Sequence, residues 1–339
     1  MMAHDDEIVK VATNSRLHFG FIDMQGSMNR LYGSLGVALQ SPRTVLTARK
    51  STRLTVKNGN TAKVTEFVRR FSRYFRIETP ALFRFEQQIP EHIGLGTGTQ
   101  LGMAVGSALA KLYRVETDIR EIAVAMERGK RSGIGIAGFT NGGFFIDSGI
   151  KTVSSEGFKP PFIVFNHPFP EEWRFVIAVP KAARGLSGEN EYQAIQSVKP
   201  SEKIAGEISH LALMKLIPSL IEKDIEAFGS ALMDIDQKNG LYFQNSQGGI
   251  FKEAIAASII RRMMSSGSFG AGQSSWGPAL YGLVKSDDAE NVAQSTRAFF
   301  KQQGITGCVK VSACSNHGAS VSLEKKNLGF PQWVSASGL

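Results

Sequence analysis

Apolar residues recur along the chain with two periods, one typical of β-strands and one typical of α-helices. Between residues 61 and 76, five apolar residues fall on one helical face, which predicts an amphipathic helix: Val64, Phe67, Val68, Phe71 and Phe75. The helical period also predicts helices at 101–112, 119–126, 202–217, 219–234, 249–264 and 288–303. Alternation and short apolar runs predict strands at 8–12, 44–48, 53–56, 82–89, 144–147, 173–179, 280–284, 307–313 and 319–323.

The order of these elements predicts an α+β fold. The strands at 44–48 and 53–56 are expected to form a meander, and the second half mixes helices with a partly antiparallel sheet. Prolines at 160, 161, 168 and 170 indicate a boundary near 150–172. We therefore divide the chain into an N-terminal domain, 1–165, and a C-terminal domain, 166–339. The polar stretch 181–200 is expected to be a mobile connection.

A glycine-rich loop lies between the strand at 82–89 and the helix at 101–112. Its three glycines, Gly94, Gly96 and Gly98, fall within five residues. Glycine allows backbone N–H groups to approach an anion, and the start of a helix favours negative charge. Thr97 and Thr99 can cap the helix or donate hydroxyls to a phosphate. A tight turn without a ligand explains the same composition, and the lysine of the common phosphate-binding loop is missing.

Charge favours an anionic partner. The net charge is +9 and the isoelectric point is near 9.5, which fits either nucleic acid or a phosphorylated small molecule. The basic residues are scattered, so a small molecule is the better interpretation and we expect no nucleic acid. The cysteines, Cys308 and Cys314, suit buried thiols in a reducing cytoplasm. The polar start of the chain and the lack of a long apolar run predict a cytoplasmic protein without a membrane span.

Two further glycine-rich segments extend this pattern. One runs from Gly129 to Gly143, and the other is a turn containing Gly270 and Gly272. Together with the glycine-rich loop, which begins at Pro90, these segments resemble the motifs of the galactokinase–homoserine kinase–mevalonate kinase–phosphomevalonate kinase (GHMP) superfamily. The resemblance implies a two-domain fold, with an N-terminal domain like ribosomal protein S5 domain 2 and a ferredoxin-like C-terminal domain.

One position departs from the kinase pattern. Where those kinases place a catalytic aspartate, two residues after Ser132-Gly133, this chain has Gly135. Phosphoryl transfer needs a group that orients or deprotonates the attacking hydroxyl, and glycine has none. The sequence thus predicts the kinase fold without its usual chemistry. An ATP-dependent small-molecule kinase remains the first alternative, and a nucleic-acid-binding module is the weaker one.

A non-kinase branch fits this departure. Residues 16–23, 33–36 and 131–135 closely resemble β-ribofuranosylaminobenzene 5′-phosphate synthases. The resemblance implies an enzyme of tetrahydromethanopterin biosynthesis. It would join phosphoribosyl pyrophosphate to 4-aminobenzoate or 4-hydroxybenzoate, with release of carbon dioxide and pyrophosphate. It also implies Mg²⁺ or another divalent cation, no ATP, and is compatible with a homodimer.

The resemblance also suggests site residues, each with a plainer alternative. Asp23 is expected to be catalytic and a metal ligand, although an aspartate there can simply cap a loop. Arg30 is expected to be catalytic and to hold a carboxylate or phosphate, although it can be a surface arginine. Asp147 is expected to be structural. The expected binding residues are His18, Gly94, Gly96, Thr97, Gly98, Thr99, Lys130, Arg131, Ser132, Gly270 and Gly272.

Overall fold

The computed structural model describes residues 7–153, 157–181, 195, 198, 201–247, 249–251 and 254–325. The strands are β1 Glu7–Ala12, β2 Ser15–Asp23, β3 Arg30–Leu39, β4 Val45–Lys50, β5 Thr55–Lys57, β6 Ala81–Gln87, β7 Phe144–Asp147, β8 Ile150–Lys151, β9 Ile163–His167, β10 Trp173–Pro180, β11 Gly270–Gln273, β12 Leu280–Lys285, β13 Gly307–Ala313 and β14 Ser320–Lys325. The α-helices are α1 Thr61–Phe75, α2 Thr97–Tyr113, α3 Ile119–Ala125, α4 Ile134–Thr140, α5 Glu202–Leu211, α6 Ile217–Glu222, α7 Ile225–Gln247, α8 Ala256–Ser265 and α9 Ala289–Gln302.

The first sheet has the strand order β14-β1-β4-β6-β5. Helix α1 buries Val64, Phe67 and Phe71 against the same core as Phe83 of β6 and Met103 of α2, as its apolar face predicts. The expected meander is wrong, because β6 lies between β4 and β5 and pairs with β5 in parallel. The helix between β5 and β6 provides the crossover that a parallel pair requires.

Two antiparallel sheets form the rest of the molecule, with orders β2-β3-β7-β9 and β11-β12-β10-β13. They share one apolar core, in which the Phe19 ring lies 5.1 Å from that of Tyr281 and the Phe144 ring 6.0 Å from that of Phe228. The chain then returns to the first sheet, where β14 pairs with β1. The division at 165/166 therefore does not separate the strands cleanly, and the boundary itself stays a prediction.

Several element bounds differ from the sequence prediction. A π-helical turn, Ala212–Leu216, joins α5 to α6, and the long helix runs over Ile225–Gln247 rather than 219–234. Helix α8 begins at Ala256, seven residues after the predicted start at 249. The segment around Gly270 is a buried strand instead of a turn. Most of the expected connection 181–200 lies outside the described residues.

Two expectations drawn from composition also need adjustment. Cys314 is buried, but Cys308 is exposed, because it lies near the start of an edge strand. Within the described residues, Glu202–Glu222 is long and apolar enough to cross a membrane by length and composition alone. It packs through Ile208, Leu216 and Leu220 against the shared core, as an amphipathic helix of a globular domain does.

Candidate active site

The glycine loop adopts a backbone that only glycine enters readily. Gly94 and Gly96 have φ angles of +83° and +82°, in the left-handed region. A Cβ atom at Gly94 would lie 2.5 Å from the Ser274 carbonyl oxygen, and one at Gly96 would lie 3.0 Å from Cγ of Arg16. Helix α2 begins directly after Gly96, and the Thr99 and Gln100 N–H groups both donate to the Gly96 carbonyl at 3.1 Å, so the N–H groups that face outward at the helix start are those of Thr97 and Gly98. The loop thus exposes the positive end of a 17-residue helix.

Residues from both halves of the chain hold this loop. The Ser274 hydroxyl, from the turn after β11, donates to the Gly94 carbonyl at 2.8 Å and accepts the His18 N–H at 3.1 Å. The Ser275 N–H donates to the His18 carbonyl at 3.1 Å. A guanidinium N–H of Arg16 also donates to the Gly94 carbonyl. The turn that follows β11 therefore packs against β2 and the glycine loop, and it closes one side of a cleft.

A cavity of about 500 Å³ opens in front of the loop. Six cationic side chains line it, against three carboxylates, so we call it the anion cavity. The cations are Arg16, Lys63, Arg70, Arg128, Lys130 and Arg131, and the carboxylates are Glu66, Glu91 and Glu127. The remaining lining residues are Phe67, His92, Gly94, Gly96, Thr97, Gly98, Thr99, Gly129, Ser132, Gly135, Ser275, Trp276 and Gly277.

The positive charge in this cavity is concentrated around Arg128. Its guanidinium lies 5.1 Å from the centroid of the Phe67 ring and donates to the Met126 carbonyl at 3.0 Å. Burial lowers the pKa of Arg128, and the charges of Arg70 and Arg131 lower it further, against the opposing charges of Glu66 and Glu127. Cations held this close together, and partly removed from water, create a field that favours a polyvalent anion.

Ion pairs neutralise only part of this field. Lys130 Nζ lies 2.7 Å from an oxygen of Glu127, and Lys63 Nζ lies 3.0 Å from an oxygen of Glu91. Arg70 pairs with Glu66 on the same helix. Exposed pairs of this kind contribute at most about 1 kcal/mol, so an incoming anion can displace the carboxylates at small cost.

The threonines of the loop are already engaged in contacts within the protein. The Thr97 hydroxyl donates to the Pro90 carbonyl at 2.6 Å. The Thr99 side chain packs against Gly135, where a Cβ atom would lie 2.9 Å from Cγ2 of Thr99. Phosphate contacts at this loop therefore fall mainly to backbone N–H groups. The same packing leaves no room for an aspartate at 135 unless Thr99 moves.

Asp147 organises the neighbouring turn. Its carboxylate accepts N–H groups from Gly133 at 2.7 Å, Gly149 at 2.8 Å and Ser34 at 3.2 Å. Burial raises the pKa of Asp147 to about 6, against the opposing effect of these N–H groups. The Ser132 hydroxyl in turn accepts the Ile134 N–H at 3.3 Å at the start of α4. The contacts of Asp147 fit the structural role expected from sequence, and they hold Ser132 at the wall of the anion cavity.

His18 lies in a smaller pocket of about 40 Å³, which shares Ser275 and Trp276 with the lining of the anion cavity. Other residues of this pocket include Phe21, Asp236, Asn239 and Phe243. The Nδ1 atom of His18 accepts the Gly20 N–H at 3.2 Å. Burial, and secondarily the charge of Arg16, lowers the pKa of His18 to about 3, so the ring is neutral near pH 7. We call this the small pocket.

Asp23 and Arg30 do not line the anion cavity. They line a third cavity of about 460 Å³ with Ile22, Met28 and Leu213. Asp23 Oδ1 accepts N–H groups from Gln25 and Gly26, and Arg30 donates to the Ser148 and Gly149 carbonyls. Both side chains therefore stabilise loops, which for Asp23 was the plainer alternative, whereas the plainer alternative for Arg30 was a surface arginine. Any catalytic role for them stays a prediction.

Gly270 and Gly272 are buried beneath the site and are absent from the lining of the anion cavity. A Cβ atom at Gly270 would lie 2.4 Å from the Gly229 carbonyl oxygen, so glycine allows β11 to contact α7 closely. Their expected role as direct ligands stays a prediction that this packing does not favour. Sequence reasoning missed Arg16, Lys63, Arg70, Arg128 and Trp276. The spacing of Lys63, Glu66 and Arg70 on the polar face of α1 was the available signal for part of that set.

Comparison with known proteins fits this architecture. Two family models match, GHMP kinases N terminal domain over residues 62–143 and GHMP kinases C terminal over residues 216–302. The fold is similar to homoserine kinase from Cytophaga hutchinsonii, with a TM-score of 0.68 and 17% identity, covering 95% of this chain and 99% of that one. It is also similar to mevalonate diphosphate decarboxylase from Staphylococcus aureus, with a TM-score of 0.65 and 12% identity, covering 93% and 98%.

Two curated relatives are more similar in sequence. β-Ribofuranosylphenol 5′-phosphate synthase of Methanothermobacter thermautotrophicus is 33% identical over 293 residues, covering 81% of this chain and 88% of that protein. The protein of the same name from Archaeoglobus fulgidus is 30% identical over 338 residues, covering 93% and 100%. The predicted α+β GHMP fold and the predicted family are thus confirmed. The chain belongs to the β-ribofuranosylphenol 5′-phosphate synthase family, a pentosyltransferase branch of the enzymes that share the GHMP kinase fold.

Proposed function

We propose that the protein joins phosphoribosyl pyrophosphate to 4-hydroxybenzoate. The products would be carbon dioxide, pyrophosphate and a C-riboside 5′-phosphate for tetrahydromethanopterin biosynthesis. The observation that carries the proposal is the anion cavity, where the start of α2 faces a group of arginines and lysines beside the small aromatic pocket. The relatives' name contains a phenol and a ribose phosphate, which favours 4-hydroxybenzoate over 4-aminobenzoate, the alternative acid.

The chemistry requires charge stabilisation at the leaving group. As the bond from the anomeric carbon to the diphosphate breaks, negative charge grows on the diphosphate and positive charge on the sugar. Backbone N–H groups of the loop Gly94–Thr99 and the side chains of Arg128, Lys130 and Arg131 are arranged for that negative charge. We assign the diphosphate to this cavity. The six cations also leave positive charge for the 5′-phosphate.

The expected divalent cation stays a proposal. No group of three or more metal-binding side chains occurs within the residues that the structure covers, and Asp23 lies in another cavity with its Oδ1 bound by two N–H groups. The described residues therefore do not place a dedicated set of Mg²⁺ ligands around Asp23. Mg²⁺ commonly binds through substrate phosphates with few protein ligands, and a diphosphate can carry it into the site. We derive no step through the metal.

An ATP-dependent kinase is the second candidate, since the structural neighbours include kinases of this fold. Gly135 occupies the place of the expected aspartate, so that place has no carboxylate. The packing of Gly135 against Thr99 leaves no room for one unless Thr99 moves. ATP turnover with small alcohols would support the kinase alternative. Salt-sensitive binding to generic RNA or DNA at low ionic strength would support the weaker alternative, a nucleic-acid-binding module.

The decisive experiment follows the carboxyl carbon. The protein is mixed with phosphoribosyl pyrophosphate, Mg²⁺ and carboxyl-labelled 4-hydroxybenzoate or 4-aminobenzoate, and labelled carbon dioxide is collected. Release of label that depends on phosphoribosyl pyrophosphate supports the proposal. Folded protein that releases none from either acid contradicts it. A cytoplasmic location and a homodimer stay predictions, which fractionation of cells and light scattering can check.

A further inference from the structure

The small pocket contains polar groups that the proposed function has not yet used. It is lined by the aromatic residues Phe21, Phe243 and Trp276, and the rings of Phe243 and Trp276 lie 4.5 Å apart. Its volume of about 40 Å³ suits a few atoms but not a whole benzoate. Trp276 also lines the anion cavity, so a ring beside it can reach both spaces. The pocket is therefore the size of a substituent at one end of an aromatic ring.

His18 presents a hydrogen-bond donor that has no partner. The residue is 3% exposed, and its Nδ1 accepts the Gly20 N–H, so the neutral ring carries its proton on Nε2. That Nε2 is buried, and no atom of the described residues accepts its proton. A buried donor left without a partner costs about 1–3 kcal/mol. His18 lines the small pocket, so an acceptor on a ligand there would recover that cost.

Asp236 provides the matching acceptor from α7. It is 8% exposed and lines the same pocket. Among the described residues, its two carboxylate oxygens receive only the Gln273 N–H, at 3.3 and 3.4 Å, and burial raises the pKa of Asp236 to about 7. The adjacent Asn239 differs, because its Oδ1 accepts the Phe21 N–H at 2.7 Å and its amide donates to the Ile235 carbonyl at 3.1 Å. Asn239 holds β2 against α7, whereas Asp236 has acceptor capacity to spare.

We propose that the small pocket binds the para substituent of the benzoate, with His18 Nε2–H donating to it and the Asp236 carboxylate accepting its proton. This inference rests on the proposed function and adds the subsite for the aromatic substrate. The ring would lie against Trp276, with the carbon that bears the carboxylate facing the anion cavity. A hydroxyl accepts one hydrogen bond and donates another, so it satisfies both residues. An aromatic amine is a poor acceptor and would leave His18 unpaired.

The same placement assists the reaction. The ring carbon attacks the anomeric carbon as the bond to the diphosphate breaks, and the electron pair of that bond leaves with the diphosphate. Positive charge spreads to the para oxygen, whose proton shifts toward Asp236. The bond to the carboxylate then breaks, its electrons restore the aromatic ring, carbon dioxide leaves, and the proton returns to the oxygen. No proton is consumed overall.

Binding measurements test this subsite without requiring turnover. Isothermal titration of the full chain would compare 4-hydroxybenzoate, 4-aminobenzoate and unsubstituted benzoate, with pyrophosphate present. The wild-type protein should bind 4-hydroxybenzoate about tenfold or more tightly than benzoate, which corresponds to one buried hydrogen bond. His18→Phe should abolish that preference with less than about threefold change for benzoate, since only the hydrogen bond is lost. His18→Gln, which retains a donor near Nε2, should keep much of it.

Asp236→Ala gives a second and independent test, and it applies if His18→Phe fails to fold. Alanine removes both acceptor oxygens, whereas the amide oxygen of asparagine would still accept a proton, so the preference for 4-hydroxybenzoate over benzoate should again be lost. An unchanged preference in the folded variants overturns the inference, even when the wild-type enzyme releases labelled carbon dioxide. Failure of the wild-type protein to bind or turn over either substituted acid overturns the proposed function as well, so the two failures are distinguishable.

Discussion

At the scale of single residues, burial decides which groups the protein keeps neutral. His18 is held uncharged beside Arg16, and Asp147 is surrounded by backbone N–H groups that compensate for its burial. The first is a group with an unused donor, and the second is part of the scaffold. Both were visible in the sequence as polar residues among apolar neighbours. Only the three-dimensional contacts distinguish a binding residue from a structural one.

The neutral state of His18 has a consequence for stability. The pKa of His18 is about 3 in the folded protein against an ordinary value of 6.5, so the unfolded chain gains a proton as pH falls below 6.5 while the folded protein does not. His18 therefore lowers the free energy of unfolding progressively between pH 6.5 and 3. His18→Gln should reduce the loss of stability between pH 7.5 and 4.5 by about 3 kcal/mol. Urea unfolding at both pH values measures it.

A matched control is His210→Gln, because His210 is exposed on α5. This variant removes an exposed histidine and keeps the buried His18. The control should follow the wild-type pH dependence, while His18→Gln departs from it. Equal losses of stability in all three proteins would mean that His18 takes up its proton in the folded state, contrary to its burial.

At the scale of elements, local patterns predicted what local forces determine. The apolar face of α1, the glycine loop and the start of α2 were all predictable, because each depends on residues close in sequence. The insertion of β6 between β4 and β5 was not, since strand order depends on contacts far apart in the chain. The same holds for the site. Ser274 reaches Gly94 across 180 residues, and no spacing rule would have paired them.

The backbone of the glycine loop should be essential for anion binding. Gly96→Ala forces an alanine to φ +82° and brings its Cβ within 3.0 Å of Arg16, which should cost about 1–2 kcal/mol and move the loop. Affinity for pyrophosphate, measured by titration calorimetry, should fall about tenfold or more, because a 1.4 kcal/mol loss is tenfold.

Gly98→Ala is the matched control in the same helix turn. The Gly98 Cβ position has no heavy atom closer than 3.6 Å, and its φ is not positive. This variant should fold with wild-type or slightly greater stability, since alanine favours a helix over glycine. If Gly96→Ala bound pyrophosphate as tightly as the wild type, the loop would not form the anion site.

The packing of α4 against α2 explains why the kinase aspartate cannot simply be restored. Gly135→Asp would place a Cβ 2.9 Å from Thr99, and the clash should destabilise the protein by about 1–3 kcal/mol. The variant should gain no ATP-dependent kinase activity, because Thr99 must move before the carboxylate can be seated. Urea unfolding and an ATP turnover assay measure the two effects. A stable variant with kinase turnover would contradict the steric argument.

At the scale of the whole molecule, part of the positive charge behind the net charge of +9 is concentrated at the anion cavity. Six of the cations converge on one cavity, whereas in the sequence they are scattered over different elements. Three separate segments bring them together: β2, α1 and the turn before α4. Such convergence costs stability through like-charge repulsion and raises affinity for a polyvalent anion. This location of the charge supports the proposed small polyvalent anion over a general affinity for polyanions.

Arg128→Met tests this trade between stability and binding. Methionine keeps contact with Phe67, and Arg70 still donates to the Met126 carbonyl at 3.0 Å, so the main loss is a repelled, largely buried cation. The Tm of the free protein should rise by about 2 °C, the shift expected for about 1 kcal/mol or less. The rise in Tm produced by pyrophosphate should shrink, since pyrophosphate at 100 times its Kd stabilises by about 2.7 kcal/mol and a tenfold weaker Kd removes about half of that.

Arg84→Met, on the exposed face of β6, should change neither the Tm shift nor its salt dependence. A lower Tm with an unchanged response to pyrophosphate would show that Arg128 stabilises the fold and does not hold the anion.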